Sequence, residues 1–152
     1  MPDCFISYSS HDQPVATKVH EELTRHGLTV FMASASLQPG QHWSAEIHAN
    51  LRHSNWVILL ASRVACGSSF MNQEIGGALL ASKHLVPIVW DMDPSELPGW
   101  ASRVQAIDLR GGSLEDLQAK AASIATQIRQ EKNQGLLIVG AILFAVFVLG
   151  KK

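Results

Sequence analysis

The chain has 152 residues and a formal net charge of −1. Apart from a hydrophobic C-terminal run, that length builds one domain of roughly 130 residues around a single core. No basic stripe interleaved with aromatics is present, which excludes a dedicated nucleic-acid binder, and Cys4 and Cys66 lack metal-ligand or redox spacing, which suits buried thiols in a reducing compartment.

The N-terminus lacks a basic region followed by an apolar core and a cleavage site, so nothing in it directs secretion. Phe5 to Tyr8 is expected to be a strand. Ser10 and Gln13 then have capping-box spacing and Pro14 suits a first helical turn. Val15, Val19 and Leu23 give the first helix its apolar stripe, and Gly27 ends it before a strand from Leu28 to Met32. An uncharged loop with a Pro39-Gly40 turn leads to a second helix, about Trp43 to His53. The apolar run Trp56 to Ala61 is expected to be a central strand buried on both faces. A third helix, roughly Ser69 to Ser82, precedes a strand from Leu85 to Trp90, where Pro87 implies an edge position or a bulge. After a turn-rich stretch comes a fifth strand, Val104 to Leu109. The last helix starts at Ser113 with capping-box spacing to Asp116 and turns Leu114, Leu117, Ala121, Ile124 and Ile128 to the core. Five strands alternating with helices imply an α/β fold with a parallel sheet covered on both faces and sites outside the carboxyl ends of its strands.

From Gly135 to Gly150 sixteen residues carry no polar side chain, and Lys132, Lys151 and Lys152 flank them. A helix of that length spans ~24 Å against a hydrocarbon core of ~30 Å, a gap that snorkelling lysines and local thinning can close. The expectation is a single C-terminal transmembrane helix, with residues 1–132 as the domain, 133–152 as the anchor, and a single-pass membrane protein whose domain is cytoplasmic. The alternative is a core helix or a face buried in an assembly. Ala141 and Ala145 form a small-xxx-small pair through which anchors could associate.

Glu46 is the first formally charged residue after Arg25. Trp43, Glu46, Asn50 and His53 share one face of the second helix, while Ile47 and Leu51 form its apolar face. Trp43 could stack on a ring or shield the acid, or simply pack. An ordinary role for Glu46 is interaction with the helix macrodipole, worth ~0.3–1 kcal/mol. Ser9 and Ser10 follow the first strand, on the rim where sheets of this kind bind ligands, and capping is their competing role. Glu74 is the rival acid. His48 and His53 lie on diverging helix faces and no His-Glu-x-x-His occurs, so no metal site is expected. Neither a phosphate loop nor a G-x-S-x-G elbow is present, and the glycine pairs 76–77 and 111–112 make no dinucleotide fingerprint.

Four segments in register carry a family resemblance. Residues 5–12 (FISYSSHD) resemble the first signature box of Toll/interleukin-1 receptor (TIR) domains. Residues 37–47 (LQPGQHWSAEI) resemble the loop after their second strand and the helix beyond it, in the bacterial form. Residues 54–62 (SNWVILLAS) are similar to their third strand, and 70–75 (FMNQEI) to a further helix motif, so the likeness covers roughly residues 3 to 110, or about 130 with the last helix. The resemblance implies a flavodoxin-like five-stranded sheet and homotypic assembly through the loop after strand two. In many bacterial and plant members it also implies cleavage of NAD at the nicotinamide bond by one glutamate, whose position Glu46 occupies. Some enzymatic relatives carry arginines where this chain has Ser9 and Ser10, a departure from that version of the motif.

One carboxylate suffices for such chemistry. Nicotinamide in NAD is already a cationic leaving group and needs no general acid, so what remains is to stabilise an oxocarbenium-like transition state. The expected protein is therefore an NAD nucleosidase, hydrolase or cyclase, with NAD as substrate rather than cofactor, activated by self-assembly and acting in bacterial antiviral defence or cell-death signalling. A non-enzymatic TIR adaptor assembling at a membrane is the alternative. A third reading, in which the clustered tail permeabilises the bilayer, fits poorly with a run that lacks an amphipathic face.

Overall fold

Val57 to Leu60 are at most 1% exposed, because their strand has a neighbour on each side and a helical layer on each face. The structure, a computed structural model, describes residues 2–34, 44–67, 83–99, 101–102 and 104–149, with side chains as far as residue 134. Its strands are β1 (Cys4–Tyr8), β2 (Val30–Ser34), β3 (Trp56–Leu60), β4 (His84–Val89) and β5 (Ile107–Asp108). They form one parallel sheet in the order β2-β1-β3-β4-β5, the flavodoxin-like order the family resemblance implies. The helices are α1 (Gln13–Arg25), α2 (Ala45–His53), the single turn α3 (Arg63–Cys66) and α4 (Leu114–Leu149).

Alternation along the strands builds two cores. Cys4, Ile6, Ile58, Leu60 and Ile88 meet Ala16, Val19 and Leu23 of α1 and Leu117, Ile124 and Ile128 of α4. On the other face Phe5, Ala33, Val57, Leu59 and Val89 meet Leu51 of α2 and Ala65 of α3. Pro87 is explained by the same alternation. The Ala61 amide donates to the Ile88 carbonyl on the β3 side and the Leu109 amide to the Val89 carbonyl on the β5 side. Pro87 therefore turns its nitrogen toward β5, whose pairing begins only at Ile88, so no ladder bond is lost.

Several expected boundaries move. The second strand starts at Val30 rather than Leu28, because Gly27 at φ +85° closes the helix end, the Leu28 amide returns to the Leu23 carbonyl at 3.2 Å, and Thr29 is held by Asp3. The fifth strand shrinks to two paired residues. Ser10 does not open a capping box: it lies in a 3-10 turn, Ser10–Asp12, and the N-cap of α1 is Asp12, whose carboxylate makes no cap bond. The box at Ser113 does form, with the Ser113 amide on Asp116 Oδ2 at 2.8 Å and the Asp116 amide on Ser113 Oγ at 3.3 Å. Leu114 at its start is exposed rather than in the core. The helix expected over Ser69 to Ser82 and its Glu74 lie outside the described residues. α3 was not expected; Ser62 caps it by accepting from the Ala65 amide at 3.1 Å.

The expected membrane anchor is overturned. Among the described residues no helix is long and apolar enough to cross a membrane. The apolar run is not a separate element but the continuation of α4, whose earlier turns pack on the sheet. Its sixteen residues reach ~24 Å, short of the ~30 Å required. The single-pass localisation and the cytoplasmic placement built on it fall with it. Lys132, expected as an anchor flank, instead reaches Asp3 Oδ1 at 3.2 Å. Beside it, Glu131 accepts from Trp56 Nε1 at 2.6 Å and meets His84 Nε2 at 3.1 Å, the two rings being stacked.

Two stability outcomes follow from these contacts. A Cβ at Gly27 meets nothing within 4 Å, so Gly27→Ala should cost only the left-handed backbone penalty, about 1 kcal/mol, seen as a lower urea midpoint with an unchanged slope. Burial pushes the Asp3 carboxyl up, and the Thr29 amide, Lys132 and the Thr29 hydroxyl together outweigh it, leaving the group below its ordinary range. A depressed carboxyl adds stability above its unfolded pKa and loses it as pH falls through the folded one. Asp3→Asn should therefore be less stable than the parent at pH 7, with the gap shrinking as pH falls below the ordinary Asp value of about 3.9 in paired urea titrations.

Candidate active site

In sheets of this order ligands enter outside the carboxyl ends of the strands, at the point where the order reverses, here between β1 and β3. β1 ends at Tyr8 opposite Ser34 of β2, so the segments that leave these two strands start side by side. One begins with Ser9 and the turn Ser10–Asp12. Ser9 is buried, at 5% exposure, and its carbonyl accepts from the Asp12 amide at 2.8 Å. Ser10 is exposed and, with His11, begins an open groove of about 700 Å³ that runs along α1 to Lys18 and Glu21.

The other segment leads to α2. Ser44 caps the helix, its Oγ accepting from the Ile47 amide at 3.3 Å, so Glu46 sits in the first turn as expected. Ile47 and Leu51 turn to the core and leave Glu46 on the outer side. Among the described residues this carboxylate is exposed, with neither an ion pair nor a hydrogen bond to its side chain. Asn50 is half-buried and its Nδ2 donates to the Glu46 carbonyl at 2.9 Å, which ties it to its own helix. Trp43 and the loop before it lie outside the described residues. On the sheet face that α2 covers, Ser7 Oγ is fully buried with no hydrogen-bond partner among the described residues.

Between the β1 and β3 loops lies a pair that the sequence reading missed. Ser62 Oγ donates to Asp12 Oδ2, and both residues are buried. Burial pushes the Asp12 carboxyl up and nearby Asp91 adds to this, while Ser62 and His11 oppose it. Asp91, after β4, accepts from the Arg63 amide at 2.9 Å. Burial, with Asp91 and Asp12, pushes the Cys66 thiol up to about 11, so it stays protonated and is no nucleophile at neutral pH. No local spacing links residues fifty apart; only the adjacency of β1 and β3 brings them together. Among the described residues no cluster of three or more His, Cys, Asp or Glu is placed to hold a metal ion.

Comparison with known proteins agrees with this architecture. Residues 4–128 match the family profile described as "TIR domain". The Brachypodium distachyon protein named "Probable 2' cyclic ADP-D-ribose synthase BdTIR" is 26% identical over 97 residues, 62% of this chain but 43% of that protein, so the chain spans less than half of the relative's length. Among solved structures, the TIR domains of the activated Roq1 resistosome superpose with a TM-score of 0.64 at 17% identity, over 86% of this chain and 99% of that one. The RPS4 and RRS1 TIR domain heterodimer gives 0.62 at 12% identity, over 84% and 95%, a likeness of fold. The profile match over most of the chain, on a sheet of the order expected, shows that the chain belongs to the TIR-domain family.

Proposed function

We propose that this TIR domain cleaves NAD at the bond between nicotinamide and ribose. The observation that carries the reading is Glu46: a carboxylate in the first turn of α2, unpaired among the described residues, on the segment that leaves β2 beside the Ser9–Ser10 edge. The relative named as a cyclic ADP-ribose synthase supports the same class of reaction. As the bond breaks, neutral nicotinamide leaves with the electron pair and the ribose C1′ becomes cationic. Glu46 stabilises that charge and positions the ribose hydroxyls, while Trp43, three residues earlier in the sequence, is proposed to meet the departing ring. Ser9, Ser10 and Asn50 hold the sugar and phosphate side. Capture of C1′ by water gives ADP-ribose and a proton; capture by the adenine end gives a cyclic product. The resistosome and heterodimer structures of related folds support activation through contacts between TIR domains, and the role that fits such a switch is bacterial defence or cell-death signalling.

The competing reading, a non-enzymatic TIR adaptor, draws on the exposure of Glu46, since a catalytic carboxylate gains most where water is excluded. Nicotinamide release by the concentrated full-length protein separates the two. The parent should turn NAD over and Glu46→Ala should lose about 100-fold or more with unchanged circular dichroism. A parent with no turnover at assembling concentrations rejects the enzyme and leaves the adaptor.

A further inference from the structure

The crevice between the carboxyl ends of β1 and β3 is where open sheets of this order admit ligand phosphates. Here it holds Asp12 and Ser62. The Ser62 hydroxyl donates to Asp12 and accepts from the Ala65 amide, so it is satisfied in both directions. The Asp12 amide closes on the Ser9 carbonyl. The segment Ser9–Asp12 is thus fastened by backbone at one end and by a carboxylate at the other. That carboxylate caps nothing in α1, and a charge kept in a buried position is weak support for folding. A role beyond folding is the better account of a carboxylate placed there.

We infer that Asp12, held by Ser62, is a positioning residue for NAD binding: it fixes the Ser9–Ser10 edge that receives the ribose and phosphates, and it closes the β1–β3 crevice so that the substrate lies on the β2 side, toward α2. This rests on the NAD reading above. The groups facing the Asp12 carboxyl are Ser62 and, by charge, Asp91 and His11. Because folding raises this carboxyl, stability from it is present below the unfolded pKa and lost as pH rises through the folded one. The carboxyl therefore adds less to the fold as pH rises, and Asp12→Asn should melt no lower than the parent at pH 7.

The test measures nicotinamide release against NAD concentration with full-length protein. Asp12→Ala and Ser62→Ala should each raise KM about tenfold and leave kcat within about twofold, and the double variant should be no worse than either single one. Asp12→Asn keeps an acceptor for Ser62 and should restore KM to within about threefold of the parent. The proposal is overturned by an active parent whose KM does not move in these variants, by activity that merely tracks the folded fraction, or by an Asn variant as impaired as Ala. A parent that never releases nicotinamide removes the NAD reading itself and this inference with it, so the two failures are told apart.

Discussion

The double-sided burial of β3 is the constraint on which the rest of the structure depends. Trp56–Leu60 pairs with β1 on one side and β4 on the other, and its side chains alternate between two helical layers. A strand so placed tolerates no polar side chain and no slip of register, since a shift by one residue would exchange the two cores. It also locates the chemistry. With β1 and β3 adjacent, the chain must leave them toward opposite edges of the sheet, and the loops at their carboxyl ends are forced to face each other.

That forced meeting separates the rim into two parts with different character. On the β1–β3 side, side chains are buried and engaged with one another. On the β1–β2 side, Ser10 and Glu46 are exposed. A reaction that needs a sugar held against a carboxylate suits the second part. Burial around Cys66 suppresses thiolate formation there.

Much of this was legible in the chain itself. The run from Trp56, the stripe of Val19 and Leu23, the Ser113–Asp116 pair and the family boxes gave the layers, the strand count and the position of Glu46, because burial patterns and caps are local signals. The failures were of another kind. Ser10 and Gln13 matched a cap by spacing, yet the carboxylate of Asp12 went to a partner fifty residues away, which no window reveals. Pro87 was read as an edge or bulge signal, and it needed only that one of its two flanks be unpaired. The apolar C-terminal run was read by composition as a span, whereas its length and its continuity with α4 decide otherwise.

Asp3 grips Thr29 and Lys132 at once, at the point where β1 begins. The last helix is thereby coupled to the first strand, and the far end of that short strand carries the Ser9–Asp12 segment. The first strand and the last helix are thus tied together at the end of the sheet remote from the rim.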